Sequence, residues 1–219
     1  MNKDKIILDL CGGTGSFSEP YRQAGYTVYN ITLPFYDVTD YYEFPFDNSI
    51  VFHSHDLSCR DLALNKNNIY GILAAPPCTD FSLACNRLWS LKDTDGRTAK
   101  SLKIVNSCLD IIKICNPHFW VLENPRGRLH KFIGNPSYKF YQSNFGGPFP
   151  KPTWLWGVFN EMFIIGPINE NPKTFKRAGA NEMFQLPANY NLNIDHNRRA
   201  AQRSILAPFF CESFYLANQ

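Results

Sequence analysis

No stretch of this sequence stays apolar for the roughly 20 residues that a membrane-crossing helix needs, so no membrane span is expected. Its seven cysteines are odd in number and form no CxxC pair. That argues against a disulfide framework and against metal-ligand spacing, and it favours a reducing compartment. Charge of neither sign dominates: 22 Lys and Arg against 19 Asp and Glu leave +3. So small a surplus is no argument for a polyanionic partner. The opening residues Met1-Asn2-Lys3-Asp4-Lys5 lead straight into a strand pattern, without the apolar segment of a secretion signal. A cytoplasmic protein is the expectation. There is no GxGxxG and no GxxxxGKS or GxxxxGKT run, which disfavours dinucleotide and nucleoside triphosphate sites. There is also no internal repeat and no flexible linker, so a single domain over 1–219 is expected.

What the chain does have is rings: 18 Phe, 11 Tyr and 4 Trp among 219 residues. They supply an aromatic core first, and surfaces for stacking bases or adenine second. The apolar pattern predicts strands at Lys5–Leu10, Tyr26–Thr32, Ser49–His53, Gly71–Ala75 and Phe119–Leu122, with helices over Ser16–Ala24 and Thr98–Cys115. Alternation of this kind predicts an α/β domain with a mostly parallel, doubly wound sheet. Gly127–Ile133 reads as a short helix. Tyr138–Ser143 and Met162–Ile165 read as an antiparallel hairpin at one edge, and Asn144–Pro152 as a loop. A closing helix over Asn197–Ala217 is interrupted near Pro208. Residues 167–197 lack periodicity and read as an irregular excursion.

Three segments carry chemistry. Asp9-Leu10-Cys11-Gly12-Gly13-Thr14-Gly15 lies between a strand and a helix, where glycines permit a tight turn and close approach to a ligand. Such a turn suits the amino-acid end of S-adenosylmethionine, although a purely structural turn has the same spacing. Cys78, in Ala75-Pro76-Pro77-Cys78-Thr79-Asp80-Phe81-Ser82, falls at the carboxyl end of a buried strand, where open α/β sheets bind ligands. Two prolines stiffen its approach. A thiolate there can add to carbon-6 of cytosine and turn carbon-5 into a nucleophile. Glu123, in Leu122-Glu123-Asn124-Pro125, ends the next strand, about 5 Å away by sheet spacing. A carboxyl group there can protonate the cytosine ring at N3.

Together these residues resemble the DNA cytosine-5 methyltransferase family. Asp9–Phe17 is similar to its cofactor motif, including Ser16 and Phe17, and Pro76-Pro77-Cys78 with Phe81-Ser82 to its nucleophile motif. Glu123-Asn124-Pro125 resembles its ENV motif in a variant similar to small phage or prophage members. The resemblance implies a Rossmann-like class I methyltransferase fold, S-adenosylmethionine as donor, DNA as partner and base flipping. It implies cofactor contacts from Asn30 and Ile31, from Asp56 and Leu57, from Pro76, and from Ser204 within Arg203-Ser204-Ile205-Leu206-Ala207-Pro208. It also implies that Asn86–Lys100 closes over the base, with Ser82, Arg87 and Arg97 on the nucleic acid.

Three departures stand out. The second strand lacks the family's ribose-binding acid, and Asp37 is the nearby substitute. The late Gln-x-Arg-x-Arg motif is not visible, and Lys151 is expected in its place beside the base. A target-recognition domain has little room. Residues 167–197, with Lys176 and Arg177, are the candidate reader, or a separate partner chain supplies specificity. Target sequence and oligomeric state stay open, as do the same chemistry on RNA or a free cytosine nucleotide, and a non-catalytic cofactor- or DNA-binding module.

Overall fold

Ile6–Leu10 (β1) is buried at all five positions, which is what a strand covered on both faces of a parallel sheet requires. It pairs in parallel with Thr27–Ile31 (β2) on one side and with Ile69–Ala74 (β6) on the other. Phe119–Pro125 (β7) adds in parallel to β6. The sheet ends in an antiparallel pair, Pro152–Val158 (β9) on β7 and Tyr138–Tyr141 (β8) on β9, giving the order β2-β1-β6-β7-β9-β8. This computed structural model describes residues 2–172, 184–186 and 198–219.

The α/β sheet, mostly parallel with an antiparallel hairpin at one edge, is therefore as expected, but two of its parts are not. The hairpin partner of β8 is β9, and Met162–Ile165 is no strand. The prolines at 150 and 152 suggested a loop, yet proline is tolerated as the first residue of a strand, where Pro152 sits. Ser49–Ser54 (β4) is a strand, but it does not join the main sheet. It pairs antiparallel with Tyr36–Phe44 (β3) and Leu62–Asn65 (β5) in a separate three-stranded sheet. The acids Asp37, Asp40 and Glu43 masked β3, because Asp and Glu are poor strand formers.

Helices cover both faces. Glu19–Gln23 (α1), shorter than expected, and Pro208–Ala217 (α6) lie on one. There Phe17, Tyr21, Phe210 and Phe214 are almost fully buried, and Phe17 meets Phe210 and Phe214 at 5.3 and 5.2 Å between ring centroids. Burying each such ring contributes about 1.5–3 kcal/mol. On the other face Val105, Cys108 and Ile111 of Arg97–Cys115 (α3) pack with Ile50 and Phe52 of the small sheet. Gly71 has a spatial reason: a Cβ there would come within 2.1 Å of the Phe119 ring. The closing helix is split as expected, Arg198–Ser204 (α5) then α6, broken by Ile205-Leu206-Ala207. The short Gly127–Ile133 helix is reduced to His130–Ile133 (α4). No described helix is long and apolar enough to cross a membrane.

Candidate active site

The site forms where β1, β6 and β7 end side by side. Their last paired residues, Leu10, Ala74 and Leu122, are in register, so the glycine turn, the Cys78 loop and Glu123 leave the sheet at one level. Asn124, with no exposed surface, donates from Nδ2 to the Pro76 carbonyl at 2.9 Å and ties the last two together.

In the glycine turn, Cys11, Gly13 and Gly15 all have positive φ (56°, 51° and 71°). Asp9 lies beneath it: a Cβ on Gly12 would meet the Asp9 carboxyl carbon at 2.3 Å, so only glycine fits. Ser18 donates to Asp9 Oδ2, while Oδ1 is buried without a hydrogen-bond partner. Burial raises the Asp9 pKa to about 6, against the opposing Ser18 hydrogen bond and the more distant Arg22 charge. Asn30 donates to the Gly13 carbonyl at 3.3 Å, and its Oδ1 is likewise buried and unpartnered. Ile31 gives its carbonyl to Cys11 N. Leu206 N donates to Ser16 Oγ at 3.3 Å, so the break between α5 and α6 packs back on this turn.

Cys78 keeps partial exposure. Burial pushes its thiol up, the Glu123 charge adds to that, and Lys151 opposes both. Burial also raises Glu123, again opposed by Lys151. Glu123 is 7% exposed and its Oε1 has no partner. Lys151 is fixed by donating to the Arg203 carbonyl at 3.1 Å. Cys78, Glu123 and Lys151 thus share one electrostatic environment.

Other expected contacts fare differently. Leu10, Ile31 and Phe17 point into the core. Phe17 belongs to the aromatic cluster, against Phe210 and Phe214. Leu57 is fully exposed and Asp56 accepts through Oδ1 from Ser58 N and Oγ, both in the β4–β5 turn of the small sheet. Asp37 accepts from Thr39 N through Oδ1 in β3. Ser204 donates to the Ala201 carbonyl. Arg97 is paired with Asp95 on the surface, Arg87 is exposed, and Ser82 caps a 3-10 turn over Leu83–Leu88. Lys176 and Arg177 lie outside the described residues.

Asn86–Lys100 is not an open loop. The 3-10 turn runs into Trp89–Thr94 (α2), followed by the start of α3. Buried Lys92 donates to the Thr79 carbonyl and pairs with Asp80 at 2.8 Å. Arg128 and Lys92 escaped sequence reasoning, because a buried charge looks like any surface charge until its partners are placed.

The electrostatics predict the reactivity of the thiol. Followed by site-resolved mass spectrometry at pH 8, iodoacetamide labels Cys78 more slowly than an unperturbed thiol. Lys151→Met slows it further and Glu123→Gln speeds it, each by roughly two- to fivefold. Equal labelling in all three proteins contradicts this arrangement.

The chain is 30% identical over 127 residues to the type II methyltransferase M.DdeI of Desulfomicrobium norvegicum, covering 56% of this chain and 28% of that protein. It thus spans little more than a quarter of that relative. A crystal structure described as a DNA modification methyltransferase encoded within an E. coli prophage shares 19% identity at a TM-score of 0.40, covering 78% of this chain and 53% of the other. The family model for C-5 cytosine-specific DNA methylases matches residues 6–142, the span that holds the glycine turn, Cys78 and Glu123. The chain belongs to the C-5 cytosine-specific DNA methylase family.

Proposed function

We propose that this chain transfers a methyl group from S-adenosylmethionine to carbon-5 of cytosine in DNA. The observation that carries the reading is the convergence of Cys78, Glu123 and Lys151 at the strand ends beside the glycine turn.

The turn fits the cofactor on the structure's own terms. Asp9 and Asn30 each hold a buried oxygen without a partner next to it, and its backbone bends through positive φ where a ligand needs close approach. Asp9, Cys11 to Ser16 and Asn30 are assigned to hold it. Bound there, it supplies an electrophilic methyl group and a positive charge.

The rest is the work of the chain's own side chains. Cys78 Sγ, once deprotonated, adds to carbon-6 of the base, and the ring electrons shift toward carbon-5. Burial keeps a proton on Glu123 to higher pH than an ordinary carboxyl group. Glu123 can therefore protonate N3 and make carbon-6 electrophilic. Lys151 offsets the cost of the thiolate and stands where positive charge favours electron withdrawal from the ring. After methyl transfer, the carbon-5 proton passes to solvent water, the S–C6 bond breaks and returns the thiolate, and N3 gives its proton back to Glu123. DNA is the proposed substrate. Lys176 and Arg177 of residues 167–197, or a separate chain, would read its sequence, and Arg87 is free to meet phosphate.

Asp9 sets a pH dependence. Its folded-state pKa is raised, so the buried carboxylate destabilises the ligand-free protein as pH rises from about 4 through about 6. The ionised form is the one that favours a bound cation. Affinity for S-adenosylmethionine should therefore fall about tenfold between pH 7 and pH 5, by calorimetry, and stay flat in Asp9→Asn. A steep fall that persists in the variant removes Asp9 from this role. For the activity itself, bisulfite sequencing of host DNA after expression should show protected cytosines that vanish with Cys78→Ala. Unprotected DNA in both cultures counts against DNA methylation by this chain.

A further inference from the structure

The segment that follows Cys78 is held by charges on both sides. Asp80 is buried, pairing with Lys92 Nζ and accepting from Ser101 Oγ of α3. Arg128, 6% exposed, reaches across from the loop after β7. Its Nε donates to the Asp80 carbonyl at 3.0 Å, its Nη1 to Asp93 Oδ2 at 2.9 Å and its Nη2 to Thr98 Oγ1 at 2.7 Å. Thr98 in turn donates to Asp93. The Trp89 ring lies 5.0 Å from the Arg128 guanidinium carbon. Backbone contacts run parallel to this: Arg128 N donates to the Phe81 carbonyl, Leu83 N to the Arg126 carbonyl, and Ser82 bridges Gly127. A Cβ on Gly127 would fall 2.0 Å from the Phe81 carbonyl oxygen, so the two segments touch through bare backbone.

Resting on the assignment of Cys78 as nucleophile, we infer that Asp80, Lys92, Asp93 and Arg128 form a clamp that positions the Cys78 loop and seats α2 beside it before DNA arrives. Lys92 grips the carbonyl of Thr79, the residue next to the nucleophile, and Arg128 grips the carbonyl after that. Both grips hold the backbone immediately after Cys78. These are positioning residues, because they act through the backbone and side chains that flank Cys78: Lys92 and Arg128 bind the Thr79 and Asp80 carbonyls, and Asp93 binds Arg128. A thiol displaced by even an ångström loses much of its rate, while the cofactor turn at β1 is untouched.

The test uses the full chain with S-adenosylmethionine and duplex DNA that contains 5-fluorocytosine, whose carbon-5 fluorine blocks elimination after methyl transfer and leaves the covalent Cys78 adduct. Lys92→Met should slow trapping roughly tenfold or more, and Asp93→Asn roughly three- to tenfold. The dissociation constant for S-adenosylhomocysteine should stay within about twofold of wild type, and Asp93→Glu should recover part of the trapping rate. Asp93 is half exposed and its variant should fold even where Lys92→Met does not. Trapping by Asp93→Asn at the wild-type rate overturns the clamp. So does slow trapping accompanied by an equal loss of cofactor affinity, which marks general damage. If wild type itself forms no adduct, the assignment of Cys78 falls, and the clamp with it.

Discussion

The hydrogen bond from Asn124 to the Pro76 carbonyl joins two strand ends whose side chains must meet, and most of the site depends on it. Parallel pairing of β6 and β7 aligns Ala74 with Leu122 but says nothing about the loops beyond. Pro76 and Pro77 have no backbone N–H to continue the ladder. Asn124 supplies the missing link from a fully buried side chain, where an amide hydrogen bond left unmade costs about 1–3 kcal/mol. Glu123, its neighbour in sequence, is thereby set level with Cys78.

A chain of similar contacts carries that order outward. Lys151 stands at the start of β9 and binds the Arg203 carbonyl; Leu206 then binds Ser16 in the glycine turn. Gln142, 2% exposed, accepts from Ala207 N and donates to Thr153, fastening the same late segment to the hairpin. The late segment therefore connects Lys151 with the glycine turn. Its own hold on the domain is apolar, through Leu206, Phe210 and Phe214 in the aromatic cluster.

Much of this was legible in the sequence. Five buried positions in Ile6–Leu10, the glycines at 12, 13 and 15, and the proline-flanked Cys78 each announce a local constraint that only one conformation satisfies. The mostly parallel sheet follows from the alternation of strands and helices. What stayed hidden depends on partners distant in sequence. β3 looked too acidic for a strand, and β9 began with a proline that is harmless at that one position. A motif cannot show that Phe17 will pack against Phe210 and Phe214, nearly 200 residues on. Arg128 and Lys92 were invisible for the same reason. Their charge is tolerated inside only because Asp80, Asp93 and Thr98 are brought to them.

The central claim is that Cys78 becomes covalently bonded to cytosine. It is tested most directly by incubating the chain with S-adenosylmethionine and 5-fluorocytosine DNA, digesting, and mapping the modified peptide by mass spectrometry. The account predicts a nucleotide on Cys78 and on no other cysteine, absent when Glu123→Gln and Cys78→Ala are combined. An adduct on a different residue, or methylated product formed by Cys78→Ala, would contradict it.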